Sequence, residues 1–372
     1  MFVLKFLLTW LSFGKIRSSY GKIGSDDIGD YGYASTYTTS TYGVGNAAMA
    51  SARIANANFQ WEVTNKFEAA LELGFLKDRI SFTTAYYKNV SSNQLVPYTL
   101  SPQAGFLSYQ ANLGAKVENK GLEFTLTTTN IHNKNLNWTT SFNISKNTNT
   151  LVSFPNLATS SYFTTYIVGN PLNSLYLLNY TGVNAAGVPQ FEDVNGDGRI
   201  STGFADTGVG DRKYQGPTYP EYYGGISNSI SYKGFALDFL FQFVKQEGRS
   251  LLSSIAVQPG YPYGLANYQV DEYRDYLAQG NVLSSNFQSS FFNYLGSTAT
   301  VVDASYIKLK NVSASYTIPL NESTKKVIQN IRVSLQGQNL VTFTKYRGFD
   351  PETQGLALPP LRTVTLGTQL TF

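Results

Sequence analysis

Leu361-Arg-Thr-Val-Thr-Leu-Gly-Thr-Gln-Leu-Thr-Phe372 closes the chain, and its reading decides the fold. Val364, Leu366, Leu370 and Phe372 share one face with Thr368, while Thr363, Thr365, Gly367, Gln369 and Thr371 share the other. Strict period-2 alternation marks a strand whose two faces meet different environments. One face is aliphatic; the other is small and polar rather than charged. On its own this stretch fits either a membrane-spanning strand or the last strand of a soluble sandwich. The rest of the chain separates the two.

Nine further alternating segments precede it. They are 13–22, 59–74, 79–89, 115–129, 137–151, 222–232, 235–245, 304–318 and 330–342. Each has about the 9–11 residues that a tilted strand needs to cross a bilayer, whereas strands of globular proteins average nearer 5–6. In 235–245, Phe235, Leu237, Phe239, Phe241 and Phe243 fall on one side. Such a wall facing water would aggregate, so it is buried or in lipid. Lys233-Gly234 has the chemistry of a two-residue hairpin turn. The apolar phase slips between Leu309 and Val312, which predicts a bulge. Residues 321–328 are compatible with a short helix.

The connections alternate without exception. Long ones (about 23–58, 90–114, 152–221, 246–303 and 343–360) are separated by short ones. Membrane barrels have tight periplasmic turns at one end and extended extracellular loops at the other. Sandwiches instead have turn signals roughly every 8–12 residues. The expected fold class is therefore all-β: a segment of an antiparallel transmembrane β-barrel with about ten long strands, short periplasmic turns and long extracellular loops.

Composition agrees. Of 372 residues only 14% are charged and 15% are aromatic, with 27 Tyr, 24 Phe and 32 Gly. Soluble domains carry about 25% charge. No apolar run reaches the roughly 20 residues of a spanning helix. Cysteine is absent and His132 is the only histidine, which leaves no thiolate or imidazole cluster for catalysis or metal binding. The expectation is a protein that is not an enzyme and requires no cofactor. A net charge of +4, dispersed along the chain, does not point to nucleic acid. Residues 1–12 are either a signal-like stretch, interrupted by Lys5 and without a small-x-small cleavage site, or a truncated start within a longer protein.

Motifs in order carry a resemblance. They include Leu11-Ser-Phe-Gly-Lys-Ile-Arg-Ser-Ser-Tyr-Gly21, Asn58-Phe-Gln-Trp-Glu62, Asp78-Arg-Ile-Ser81 and Val117-Glu-Asn-Lys-Gly-Leu-Glu-Phe124. Val168-Gly-Asn-Pro171, Phe191-Glu-Asp-Val-Asn-Gly-Asp-Gly198, Tyr222-Tyr-Gly-Gly-Ile226, Tyr232-Lys-Gly-Phe235 and Ala304-Ser-Tyr-Ile-Lys-Leu-Lys-Asn-Val312 follow. Together they resemble the SusC/RagA-type TonB-dependent outer-membrane transporters, with 13–372 matching the C-terminal part of the barrel. The resemblance implies a 22-strand barrel in the cell outer membrane. It also implies uptake of oligosaccharide or peptide nutrients, a SusD-like lipoprotein partner and the TonB complex. No plug domain or TonB box is recognised, so the expectation is a fragment whose TonB contact lies in a missing N-terminal part. The alternative is a cell-surface structural or adhesive β protein that transports nothing.

One stretch carries site chemistry. Asp193-Val-Asn-Gly-Asp-Gly-Arg199 is similar to the front half of an EF-hand loop, with oxygen donors expected from Asp193, Asn195, Asp197 and the Arg199 carbonyl. Phe204 stands where the bidentate acid would be, and Asp206 or Asp211 is the nearest substitute. The two readings are a structural calcium site and an Asx-rich turn. Glu62 and Glu123 are read as interior-facing charges or ion pairs, and 271–277 as a short loop helix. The Tyr-rich stretches 31–42 and 261–273 are read as interfacial or loop packing, with sugar stacking the alternative. Substrate-binding residues are not identifiable from the sequence.

Overall fold

The computed structural model describes residues 2–3, 10–25, 33–42, 46–254, 274–281 and 288–372. Ten long strands form one sheet: β1 (Leu11–Ser25), β2 (Glu62–Phe75), β3 (Ile80–Thr99), β4 (Ser108–His132) and β5 (Leu136–Ser153), then β6 (Tyr222–Tyr232), β7 (Phe235–Lys245), β8 (Tyr306–Ile318), β9 (Asn330–Thr344) and β10 (Thr363–Thr371). They lie side by side in chain order, with Phe2–Val3 paired beyond β1. Every neighbouring pair is antiparallel. Among the described residues β10 pairs only with β9, so the sheet is open at both edges. All ten segments read from the alternation are present.

The short turns have local causes. Leu76, Lys77 and Asp78 all take left-handed φ (54°, 59° and 61°) between β2 and β3. Asn133 Oδ1 accepts hydrogen bonds from the amides of Asn135 and Leu136 and closes the β4–β5 turn. Lys233 and Gly234 both have positive φ (44° and 89°), the geometry a tight hairpin demands. Asn321 caps a single helical turn, Glu322–Lys325, through the Thr324 amide.

The expected bulge is at Lys310. Leu309 pairs with Val341, but Asn311 pairs with Gln338, so the register slips there. Ile307 and Leu309 therefore share a face with Val312, Ala314 and Tyr316 rather than with Asn311 and Ser313. The slip rescues the face pattern along the whole of β8.

Cross-strand register shows what that face is. Ile16, Leu71, Thr84, Phe124, Ile144, Gly224, Phe243, Ile307 and Phe343 stand opposite one another from β1 to β9. The next row, from β2 to β9, is Leu73, Phe82, Leu126, Phe142, Ile226, Phe241, Leu309 and Val341. Towards the short turns come Tyr232, Phe235, Tyr316 and Val333. The remaining sheets are two-stranded, so among the described residues no second layer covers these rows. Among the described residues no helix is long and apolar enough to cross a membrane.

The loop side differs from the expectation in one respect. Residues 90–114 are mostly strand, with only 100–107 connecting β3 to β4. At about 3.3 Å per residue, the 25-residue β4 is roughly 80 Å long and projects well beyond a bilayer. Beyond the hydrocarbon the apolar alternation is no longer required, so Ser91-Ser92-Asn93-Gln94 reads as loop while forming strand. Small two-stranded sheets also fill the longer loops: Thr36–Tyr42 with Asn46–Arg53, Ser174–Leu178 with Arg212–Pro217, and Glu247–Arg249 with Val301–Asp303.

The buried core lies mainly in these loops. Leu252, Tyr276, Phe291, Tyr294 and Leu295 pack together, with Tyr180 and Phe191 against them. A second cluster, Ala115, Val117, Leu151 and Phe154, sits where β4 and β5 leave the belt. Leu178 bridges Ser297, which ties the two longest loops to each other.

Phe239 stands midway along β7 on the outward face, opposite Val312. Phe239→Arg places a charge at the bilayer midplane, at a cost of about 2–4 kcal/mol. We expect the variant not to accumulate in the outer membrane, as read by membrane fractionation and heat-modifiable migration. Normal accumulation would remove the lipid-facing assignment.

Candidate functional site

The other face of the sheet is the candidate site. Thr129, Thr139, Ser229, Asp238, Ser313, Gln336 and Thr365 form one continuous inward row. The row above it runs Thr127, Ser141, Ser227, Leu240, Asn311, Gln338 and Thr363. Between them lies a polar trough of about 510 Å³. Hydroxyls and amides dominate, a wall suited to water and to neutral polar cargo. Glu123 is on this face, opposite Ser145, and Glu62 shares the inward parity of β2.

Besides Asp238, Glu123 and Glu62, ion-paired charge on this face stands in two places. Near the first edge, Arg17 pairs with Glu72 at 3.0 Å and with Glu68, and Lys15 reaches Glu72 at 3.5 Å. At the other end, Lys308 Nζ lies 3.1 Å from Asp350 and 2.7 Å from Glu352, and Lys310 shares Glu352 at 3.2 Å. The Lys308 side chain is only 1% exposed. Its ammonium also lies 5.3 Å from the Tyr306 ring centroid. These contacts fasten the loop after β9 to the inner wall. Burial would raise the pKa of Glu352, and hydrogen bonds from Lys308 and Lys310 outweigh it, leaving the group below the usual glutamate value. Its contribution is thus full above the ordinary glutamate range and is lost as pH falls through the lowered value.

This strap escaped the sequence reading. Its partners are 42 and 44 residues apart and no motif joins them. The available signal was the pairing of two strand lysines with Asp350-Pro351-Glu352 in the next loop.

The aspartate-rich loop folds as a series of side-chain-to-amide turns. Asp193 accepts from the amides of Gly196 and Gly198, each at 2.8 Å. Asn195 accepts from Asp197, and Asp197 from Arg199. Gly196 and Gly198 supply the positive φ (71° and 77°) that such a coil needs. The three side chains are therefore brought together on one turn. Phe204 instead stacks on Tyr176 at 4.3 Å. Asp211 is fully buried and accepts from the amides of Val194, Asn195 and Ser201 and from the Ser201 hydroxyl. Burial would raise its pKa, but these hydrogen bonds together hold it below the ordinary aspartate value. Asp211 is thus the clasp of the loop, with both oxygens engaged. Among the described residues, no three His, Cys, Asp or Glu side chains are grouped to hold a metal.

Residues 274–278 are helical and overlap the expected loop helix 271–277, whose first three residues lie outside the described residues. Tyr33 and Tyr37 are exposed, whereas 31–32 and the whole stretch 261–273 lie outside the described residues.

Comparison with known proteins gives three relevant likenesses. A TonB-dependent receptor of Formosa agariphila is 30% identical over 403 residues, which span 96% of the chain and 40% of that receptor. The TonB-dependent receptor SusC of Bacteroides thetaiotaomicron is 24% identical, across 96% of the chain and 37% of SusC. The solved structure of the RagAB peptide transporter matches with a TM-score of 0.74 and 24% identity, over 98% of the chain and 41% of the matched one. No protein-family model matches. The chain spans about two fifths of the length of the curated relatives it matches. The likenesses bear out the resemblance read from the motifs, and the structural match bears out the barrel-wall fold.

Lys308→Ala leaves Asp350 and Glu352 facing a buried gap. Breaking a buried ion pair from one side costs roughly 3–5 kcal/mol. The expected result is faster proteolysis and hydrogen exchange of residues 345–362 with the sheet itself retained.

Proposed function

We propose, from the premise that this chain is a relative of the SusC-type TonB-dependent receptors, that it forms barrel wall for nutrient uptake across the outer membrane. The observation that carries the reading is the pairing of two facts. The similarity runs over nearly the whole chain, and the sheet has one mostly apolar face that no other described element covers and one face of hydroxyls and amides. The first face is solvated by lipid and the second borders a wet passage.

Uptake belongs to the whole protein. In this reading the ten strands are part of a wider barrel, of about 22 strands, whose remaining wall meets the open edges at β1 and β10. Energy comes from the TonB complex, through a region other than the strands described above. The cargo is an oligosaccharide or a peptide: the interior wall offers many neutral donors and acceptors and few fixed charges. A SusD-like lipoprotein covers the extracellular mouth, resting on the folded loops. The role of the chain is to bind and pass cargo, with no bond made or broken.

The aspartate-rich loop is assigned a structural cation, held by Asp193, Asn195, Asp197 and the Arg199 carbonyl. What supports it is the hard-oxygen donor set and the turn that gathers three of its side chains. Asp211 then acts as the clasp beneath the ion rather than as a ligand.

Deleting the gene should abolish accumulation of labelled oligosaccharide or peptide, and restoring it should recover uptake. Unchanged accumulation of both cargo classes, with the protein present in the outer membrane, would favour the structural or adhesive role. For the loop, millimolar calcium should raise the unfolding temperature of the wild type and leave an Asp193→Ala/Asp197→Ala variant unmoved. Identical curves with and without calcium eliminate the cation.

A further inference from the structure

The outer wall carries a groove that passage through the interior does not use. It occupies about 660 Å³ on the loop side of the apolar belt. Its floor is Phe142, Ile144, Phe243, Ile307 and Phe343, all on the outward rows. Gly224 opens it, since the position between Ile144 and Phe243 in the register has no side chain. The Phe243 ring leans across that gap, 2.6 Å from where a Cβ would stand, and stacks on Phe142 at 5.9 Å. Towards the loops, the rim is Tyr222, Lys245, Asp303 and Lys345. Lys245 pairs with Asp303 at 3.4 Å, while Lys345 is exposed and has no ion-pair partner among the described residues.

The height of the rim is informative. Lys245 follows Phe235 by ten residues along β7. At about 3.3 Å per residue and a tilt of roughly 40°, that is about 25 Å, the height of the apolar band of a membrane barrel. Lys245 therefore stands where hydrocarbon gives way to headgroups. Lys88, Lys120 and Lys146 continue the border on β3, β4 and β5, paired with Glu118 and Glu221. Lysines outnumber carboxylates along it.

The geometry points to a binding groove for a phosphate-bearing membrane lipid, with an acyl chain on the Phe floor and the phosphate between Lys245 and Lys345. This rests on the membrane-spanning reading above. The two lysines are two strands apart, roughly 10 Å, a gap their long side chains close while their stems stay on apolar surface. Tyr222 stands opposite Lys245 on the neighbouring strand, on the side away from Lys345, at the level where ring and hydroxyl are both satisfied. A soluble anion would use the rim and leave the floor empty. The floor is continuous with the lipid-facing belt, and that continuity favours a lipid.

The test uses the chain within its complete barrel, assembled in phosphatidylcholine bilayers and titrated with phosphatidylglycerol. The wild type should gain thermal stability that saturates at low mole fraction, and should retain the anionic lipid in native mass spectrometry. Lys245→Gln/Lys345→Gln should weaken the response about 25-fold, roughly fivefold for each lysine near an anionic surface. Lys245→Arg/Lys345→Arg should keep it. Lys77→Gln/Lys134→Gln, at the short turns, should leave it unchanged, and inorganic phosphate should not reproduce it. An equal response of the Gln variant and the wild type, or full stabilisation by inorganic phosphate, overturns the groove. Should the Gln variant fail to assemble, the wild type's preference between the two lipids and the Arg variant decide. A wild type that never enters the neutral bilayer sinks the membrane reading first, and the groove with it.

Discussion

Phe142, Phe241, Phe243, Ile307 and Phe343 stand on one face of a single-layered sheet, and no other part of the described chain packs over them. Fully burying a side chain of this size is worth about 1.5–3 kcal/mol. Leaving two whole rows in water would forfeit that gain many times over. A sandwich would solve the problem with a second sheet; here the solvent solves it. The backbone constraint points the same way. In hydrocarbon every amide and carbonyl must be paired internally, and an antiparallel meander with uniform neighbours does so except at its two edges.

Given that constraint, the distribution of buried residues follows. The sheet needs no protein core, so the clusters around Tyr276 and Tyr294 and around Val117 and Leu151 sit in the loops and at the upper ends of the strands. There the surroundings are aqueous and ordinary packing rules return. The polar interior likewise gathers its ion-paired charges in compact, mutually neutralising groups, Arg17 with Glu68 and Glu72, and Lys308 with Asp350 and Glu352.

What the sequence disclosed and what it withheld have the same origin. Period-2 alternation is imposed residue by residue wherever a strand separates lipid from water, so all ten strands and the slip at Lys310 were visible as pattern. The hairpin at Lys233-Gly234 was visible because only a few residue types tolerate its φ values. Past the bilayer this pressure ends, and the upper halves of β3 and β4, rich in Ser, Asn and Gln, were indistinguishable from loop. The strap on Lys308 and the clasp at Asp211 were hidden for another reason: each is a contact between segments that carry no shared motif. Asp193, Asn195 and Asp197 were legible as a turn because their hydrogen bonds run only two to five residues along the chain.

The bridge between Leu178 and Ser297 has a mechanical corollary. Tyr180 also donates its amide to the Thr298 hydroxyl, and its ring meets Tyr294 edge-on at 5.2 Å. Two excursions that leave the wall from different strands are thus riveted into one rigid body. Their freedom of movement is shared, so tilting either one drags the other. Where these two loops meet, the rim behaves as one lever rather than as two independent fringes.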